Sequence, residues 1–299
     1  VEYKWQGRFP AVQIGMLPPD EEDLIKQAVS LVKECDAVVM LVGTNSDWET
    51  EGNDRSELGL PGEQDELIHK IVKANPNTVV VLNTGSPVSM PWLKETKSIL
   101  QCWFPGQEFG NALYDILFGK TNPSGKLPTT FPKRIEDTPA FNHYPGKNLQ
   151  MDYLEDIFVG YRWYEKEEIK PLFSFGYGLS YTTFEYSSLR IIPPKEEDSA
   201  IAFSFTVTNA GKISGKEIVQ CYLSVPNSSV VRAPKELKRF SKVDLKAGES
   251  KEIIFELNER DLSYWNEKEG SWSIEPAEYR ISVGGSSDET PLEASAWLG

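Results

Sequence analysis

The chain is short of positive charge, of histidine and of cysteine, and each shortage closes off a class of function. Its 299 residues hold 31 Lys plus Arg against 45 Asp plus Glu, a formal charge of −14 at pH 7. Such a balance repels phosphate backbones and anionic membrane faces unless a local basic patch overrides it, and the sequence has no such patch. Neither nucleic acid nor a membrane is therefore expected as a partner. The apolar runs Ala37–Val42 and Thr78–Leu82 fall far short of the ~20 residues that a membrane-spanning helix needs. With two histidines (His69 and His143), three scattered cysteines (Cys35, Cys102 and Cys221) and no Cys-x-x-Cys pair, neither a disulfide framework nor a structural zinc site is expected. The thiols are expected to be free and buried, and the histidines to sit at the surface or in a satisfied core without a partnered acid.

Phosphate-binding signatures are missing as well. No G-x-G-x-x-G or Walker pattern occurs, so Gly43, Gly85 and Gly106, each following an expected strand, read as turn glycines and not as nucleotide cradles. Ser86 and Ser89 stand beside prolines without a G-x-S-x-G elbow and read as turn residues. No metal or other cofactor is expected. Val1–Met16 has neither a basic leader nor an apolar core segment, so it does not read as a signal peptide, and the chain is expected to be a piece of a longer protein. Its compartment is not legible.

What is present is a change of period along the chain. Residues 1–16 alternate polar and apolar positions around Gly7-Arg-Phe-Pro10, which predicts a β-hairpin. From Asp20 an acidic turn leads into a stripe of Ile25, Ala28, Val29, Leu31 and Val32, predicting a helix to about Glu34. Apolar strands follow over Ala37–Val42, Thr78–Leu82 and Ser98–Trp103, separated by helices over Pro61–Ala74, Trp92–Thr96 and Gln107–Leu117. Strands apolar throughout, alternating with helices, predict a mostly parallel sheet covered on both faces, an α/β/α sandwich. Beyond Thr183 the period becomes two, with strands over Phe184–Ile192, Ile201–Thr208, Glu217–Val225, Lys238–Leu245, Glu252–Leu257 and Tyr279–Val283. That pattern predicts an immunoglobulin-like β-sandwich over 184–299, after an α/β domain over 18–183 and a short β-rich tail over 1–17. The aromatic tract between Tyr153 and Tyr181 is expected to serve packing ahead of sugar stacking.

In an open parallel sheet, ligands gather at the carboxyl ends of the strands. The loop after the first strand therefore matters most. It carries Asp47, Glu49, Glu51 and Asp54 against the single cation Arg55. Carboxylates held close raise one another's pKa, the property a general acid needs. If the segment is extended, Glu49 and Glu51 address one cleft, with Trp48 and Gly52 shaping its wall.

Several segments resemble, in order, the second domain of family 3 glycoside hydrolases of the β-glucosidase type. They are Thr50-Glu-Gly-Asn-Asp-Arg55 with Leu60-Pro-Gly-Glu-Gln64, Asn83-Thr-Gly-Ser-Pro87, Trp103-Phe-Pro-Gly-Gln-Glu108, Pro123-Ser-Gly-Lys-Leu-Pro128, Tyr153-Leu-Glu-Asp-Ile-Phe-Val-Gly-Tyr-Arg162 and Phe175-Gly-Tyr-Gly-Leu-Ser-Tyr181. Lys235-Glu-Leu-Lys238, Arg260-Asp-Leu-Ser-Tyr-Trp265 and Val283-Gly-Gly-Ser-Ser287 resemble the family's fibronectin type III-like domain. Residues 1–16 look like the end of a lectin-like, protective-antigen-type module.

The resemblance implies the carboxyl-terminal part of a retaining β-glycosidase acting on β-linked glucosides or short oligosaccharides. The nucleophilic aspartate would lie on a (β/α)8 barrel outside this chain, so the chain alone would be inactive. The barrel and the remainder of the lectin-like module would be its partners, and a homo-oligomer is compatible with the reading. The family's Glu-Gly-x-Asp-Arg motif maps the general acid/base onto Glu51. The Trp-Glu-x-Glu-Gly form keeps Glu49 as the next choice and Asp47 as the third, with Trp48 and Asp47 as substrate contacts. The competing reading is a non-catalytic carbohydrate-binding or structural module.

Overall fold

The computed structural model describes residues 23–52, 54–196 and 198–299. The expected hairpin over 1–16 and the tail over 1–17 lie outside them. The described residues form two compact units, one holding residues 23–42 with Gly62–Leu82 and Pro91–Leu100, the other Gly43–Pro61, Asn83–Met90 and Gln101–Gly299.

In the first unit, helix α1 (Leu24–Val32) starts where the Asp23 carboxylate accepts the Lys26 N–H at 2.9 Å, an N-cap. Strand β1 (Val38–Gly43), helix α2 (Gln64–Ala74), strand β2 (Thr78–Asn83) and strand β3 (Ser98–Gln101) follow. The sheet order is β1-β2-β3. The Val38 N–H bonds Asn77 O and the Thr44 N–H bonds Asn83 O, so both strands advance together and the pair is parallel. Helix α2 has Asp65 and Glu66 in its first turn and Lys73 in its last, matching the helix dipole, and it buries Ile68, Ile71 and Val72. Asn75 ends it: its side-chain amide donates to the carbonyls of Val32 (2.9 Å) and Cys35 (2.8 Å), tying the ends of α1 and α2 together.

On β1, Met40 and Val42 are buried, whereas Val39 is 49% and Leu41 55% exposed, and Leu24 and Leu31 of α1 are exposed as well. Strand β3 is two residues shorter than expected because Trp103 turns into left-handed backbone at φ 57°.

The second unit contains helices α3 (Phe109–Leu117) and α4 (Tyr161–Lys166), then strands β4 (Phe184–Ile192), β5 (Ser199–Asn209), β6 (Gly215–Ser224), β7 (Glu236–Leu245) and β8 (Ser250–Asn258), a short helix α5 (Glu259–Leu262), and strands β9 (Tyr264–Asn266), β10 (Ser271–Ser273), β11 (Ala277–Gly284) and β12 (Leu292–Leu298). Two antiparallel sheets, β12-β11-β6-β7 and β4-β5-β8, make a seven-stranded sandwich. Alternate residues of both sheets meet in one core: Phe203, Phe205, Val207, Phe255 and Leu257 from one, Val219, Cys221, Leu223, Tyr279, Ile281 and Val283 from the other.

The aromatic tract packs against this sandwich. Tyr161 stacks on Phe175 at 5.0 Å and meets buried Tyr222 of β6 edge-on at 5.8 Å, while its hydroxyl accepts the Leu237 N–H at 2.7 Å. Nearby, Lys126 Nζ lies 3.1 Å from the buried Glu217 carboxylate, which also accepts the Tyr186 hydroxyl at 2.8 Å. Burial first, and then the Glu217 charge, push the Tyr186 phenol far above its ordinary range.

The thiols divide in a way composition did not indicate: Cys221 is buried in the sandwich core, Cys102 is half-buried, and Cys35 is exposed. Burial pushes the Cys102 thiol up to about 11. His69, expected to lack a partnered acid, has Glu95 2.9 Å from its Nδ1, although both groups are at the surface.

Candidate active site

Three loops, following β1, β2 and β3, converge within the second unit. The first begins with Thr44, whose N–H is bonded to Asn83 O, and then turns sharply: the N–H groups of Trp48 (3.0 Å) and Glu49 (2.9 Å) both reach Asn45 O, and the Asn45 side chain accepts the Asp47 N–H at 3.0 Å. This is an Asx-type turn, not an extended strand. The premise that residues two apart would point the same way therefore fails here.

The consequence is a separation of the four acids. Asp47, Glu51 and Asp54 are exposed. Glu49 is turned inward, with its side chain 14% exposed. Glu49 Oε1 accepts the Thr44 hydroxyl at 2.8 Å and the Ser86 hydroxyl at 3.1 Å, and stands 3.8 Å from Arg55 NH1. Arg55 NH1 in turn donates to Ser86 Oγ at 2.7 Å and to the Pro87 carbonyl at 3.4 Å. Burial lowers the guanidinium pKa, against the opposing charges of Glu49 and Glu57. Its Nε and NH2, together with the indole nitrogen of Trp48, are buried donors that find no acceptor among the described residues.

The second loop admits this arrangement through Gly85. A Cβ there would fall 2.3 Å from Glu49 Oε2 and 2.6 Å from the ring of Phe104, which comes from the third loop. A side chain at position 85 would push the Glu49 carboxylate and the Phe104 ring aside, so glycine is what lets both lie against this backbone. Trp103, just before Phe104, carries the left-handed φ noted above and meets Phe131 edge-on at 6.1 Å. At the far end of the first loop the Tyr144 hydroxyl bonds the Asp54 carboxylate, and that bond raises the Tyr144 phenol.

Glu51 sits two residues beyond the anchored Glu49 and just before Gly52, whose φ of 77° bends the chain back. Glu49 is thus engaged by three side chains, while Glu51 is exposed. Thr44, Ser86, Gly85 and Phe104 were not recognised in sequence as part of this site. The available signal was position: each lies within a few residues of the carboxyl end of a parallel strand, where such sheets build their sites. Among the described residues no cluster of His, Cys, Asp and Glu is arranged to hold a metal ion, and no helix is long and apolar enough to cross a membrane.

Comparison with known proteins bears on what such a loop cluster does. Residues 6–181 match the glycosyl hydrolase family 3 C-terminal domain, and residues 217–287 match the fibronectin type III-like domain. The chain is 47% identical over 285 residues to a beta-glucosidase of Kluyveromyces marxianus, covering 95% of this chain and 33% of that protein. It is 45% identical over 276 residues to a probable beta-glucosidase I of Aspergillus clavatus, covering 90% of this chain and 33% of that protein. The crystal structure of the Kluyveromyces enzyme in complex with glucose superposes with a TM-score of 0.88 at 44% identity, over 95% of this chain and 34% of that one. Beta-glucosidase 3B of Thermotoga neapolitana, in complex with alpha-D-glucose, gives 0.83 at 36% identity, over 92% of this chain and 39% of that one. The chain spans about a third of the length of the curated relatives it matches.

Proposed function

The chain belongs to glycosyl hydrolase family 3, as its C-terminal domain followed by a fibronectin type III-like domain, and from that premise we propose that it is the acid/base-bearing part of a retaining β-glucosidase. We assign residues 18–183 to the α/β domain and 184–299 to the sandwich. The substrates are β-linked glucosides or short oligosaccharides. The nucleophilic aspartate belongs to a (β/α)8 barrel outside these residues, which must dock against the loop after β1.

One observation carries the assignment of roles. Glu49 is engaged by Thr44, Ser86 and Arg55, whereas Glu51 is exposed on a glycine-bounded turn. A general acid must reach the leaving oxygen within hydrogen-bond distance, and only a carboxyl not already committed to its own fold can do so. Glu51 protonates the glycosidic oxygen as the glycosyl-enzyme forms, then deprotonates the water that releases the sugar. The retaining geometry sets its carboxyl about 5–5.5 Å from the nucleophile. Trp48 and Asp47 flank this turn and are placed as sugar contacts.

In the full-length enzyme, Glu51→Ala is expected to lower turnover of glucosides with poor leaving groups by on the order of 10²- to 10⁴-fold, with little effect on activated aryl glucosides and with rescue by azide. Undiminished hydrolysis by Glu51→Ala would remove Glu51 from the role.

A further inference from the structure

We propose that Glu49 is a positioning residue, a latch that holds residues 44–55 in the conformation presenting Glu51. The inference rests on the assignment of Glu51 as acid/base and adds a role for the second carboxylate of the same turn.

The latch is a chain of donors ending on one oxygen. Arg55 NH1 donates to Ser86 Oγ at 2.7 Å, Ser86 donates onward to Glu49 Oε1 at 3.1 Å, and Thr44 donates to the same oxygen at 2.8 Å. Each hydroxyl spends its single proton on Glu49, so the direction of every bond is determined. Thr44 and Arg55 belong to the two ends of the first loop and Ser86 to the second loop, so one carboxylate joins three backbone points that the sequence separates. Glu49 Oε2 occupies the space that a side chain at residue 85 would need, with the Phe104 ring beside it.

Among the described residues, the backbone bonds of this segment include the Thr44 link to Asn83 and the two bonds to Asn45 O, with the Ser89 N–H bonding Leu58 O beyond it. Without the latch, the conformational freedom of about a dozen residues would oppose the presented geometry. Glu51 is fixed on one side by Glu49 and on the other by Gly52 at φ 77°. Displacing a proton donor by about 1 Å costs on the order of 10²-fold in rate.

Two measurements test this. In the full-length enzyme, with aryl β-glucosides of graded leaving-group acidity, Glu49→Ala is expected to lower kcat by about 10²-fold for the poorest leaving groups and by progressively less for more acidic ones, the pattern of a displaced Glu51. Glu49→Gln, which keeps an acceptor for Thr44 and Ser86 but cannot donate an acid proton, regains most of the activity and the parent slope against leaving-group acidity. A Glu49→Gln enzyme as impaired as Glu49→Ala, with azide rescuing both, would make Glu49 the acid itself and overturn the latch. So would an unchanged kcat accompanied only by a lower melting temperature. In the 299-residue chain itself, amide hydrogen exchange across residues 44–55 is expected to speed up by about tenfold in Glu49→Ala and to stay near the parent rate in Glu49→Gln. Unaltered exchange in Glu49→Ala refutes the latch whatever the role of Glu51. Faster exchange together with a Glu51→Ala enzyme lacking any leaving-group signature leaves the latch standing and refutes the reading of Glu51.

Discussion

The sandwich and the first unit bury apolar surface in opposite ways. In the sandwich, residues of alternating direction on β5, β6, β8 and β11 close on one another, and Phe203, Phe205, Val219, Cys221, Leu257 and Ile281 are sealed from solvent. In the first unit, β1 uses Met40 and Val42 in the same way but presents Val39 and Leu41 to solvent. A strand in a two-sheet sandwich needs one apolar face, and its partner sheet supplies the cover. A strand of a parallel sheet carries apolar residues on both faces, so it is complete only when a second layer covers the other side. The difference teaches that apolar content reports a strand's demand for cover and does not say whether the demand is met.

Phe205→Ala should break the comparison most visibly. Truncating a sealed phenylalanine is expected to cost about 3–5 kcal/mol of stability in the sandwich transition, measured by denaturant unfolding. A loss below ~1 kcal/mol would mean the sandwich core is looser than its burial implies.

The thiols sharpen the same contrast. Iodoacetamide at pH 8 should modify Cys35 in the first unit at least about 10²-fold faster than Cys221 in the sandwich, because Cys221 is reached only through opening of the core. Burial raises the folded-state pKa of the Cys221 thiol, so above the ordinary thiol value of ~8.5 the unfolded chain gives up a proton that the folded chain keeps. Its contribution to stability is full below that pH and declines as pH rises above it. Comparable labelling of both thiols in the folded chain would contradict the sealed core.

The smallest effect belongs to the open face. Leu41→Lys, on the exposed side of β1, should change stability by no more than about 0.5 kcal/mol, the range of surface substitutions. A loss of ~2 kcal/mol would mean that Leu41 is covered in solution and that the contrast between the two regions is false.

Much of this architecture was legible because periodicity is a local property. The shift from helical spacing in α2 to alternation in β5 and β8 locates both classes of structure, and the ordered motifs from Thr50 to Tyr181 pointed to the family. Helix α4 was hidden by its own composition, since Tyr161, Trp163 and Tyr164 read as packing residues in any backbone. Strand β12 was overlooked although Leu292, Ala294, Ala296 and Leu298 alternate inward against Ala277–Val283. Its small alanines weaken the apolar signal. Helix α5 was announced by the capping box Asn258 and Asp261, but at four residues it has no hydrophobic period of its own.

By itself, then, the sequence located most of the strands and longer helices, the family resemblance, and the short list of carboxylates, since all of these depend on neighbours along the chain. Which of Glu49 and Glu51 is held and which is presented depended on Ser86, Gly85 and Phe104, 36 to 55 positions away from Glu49 by residue number. Only the parallel strands, by bringing their carboxyl ends to one place, could put a hydroxyl, a missing side chain and an aromatic ring around one of two otherwise similar acids.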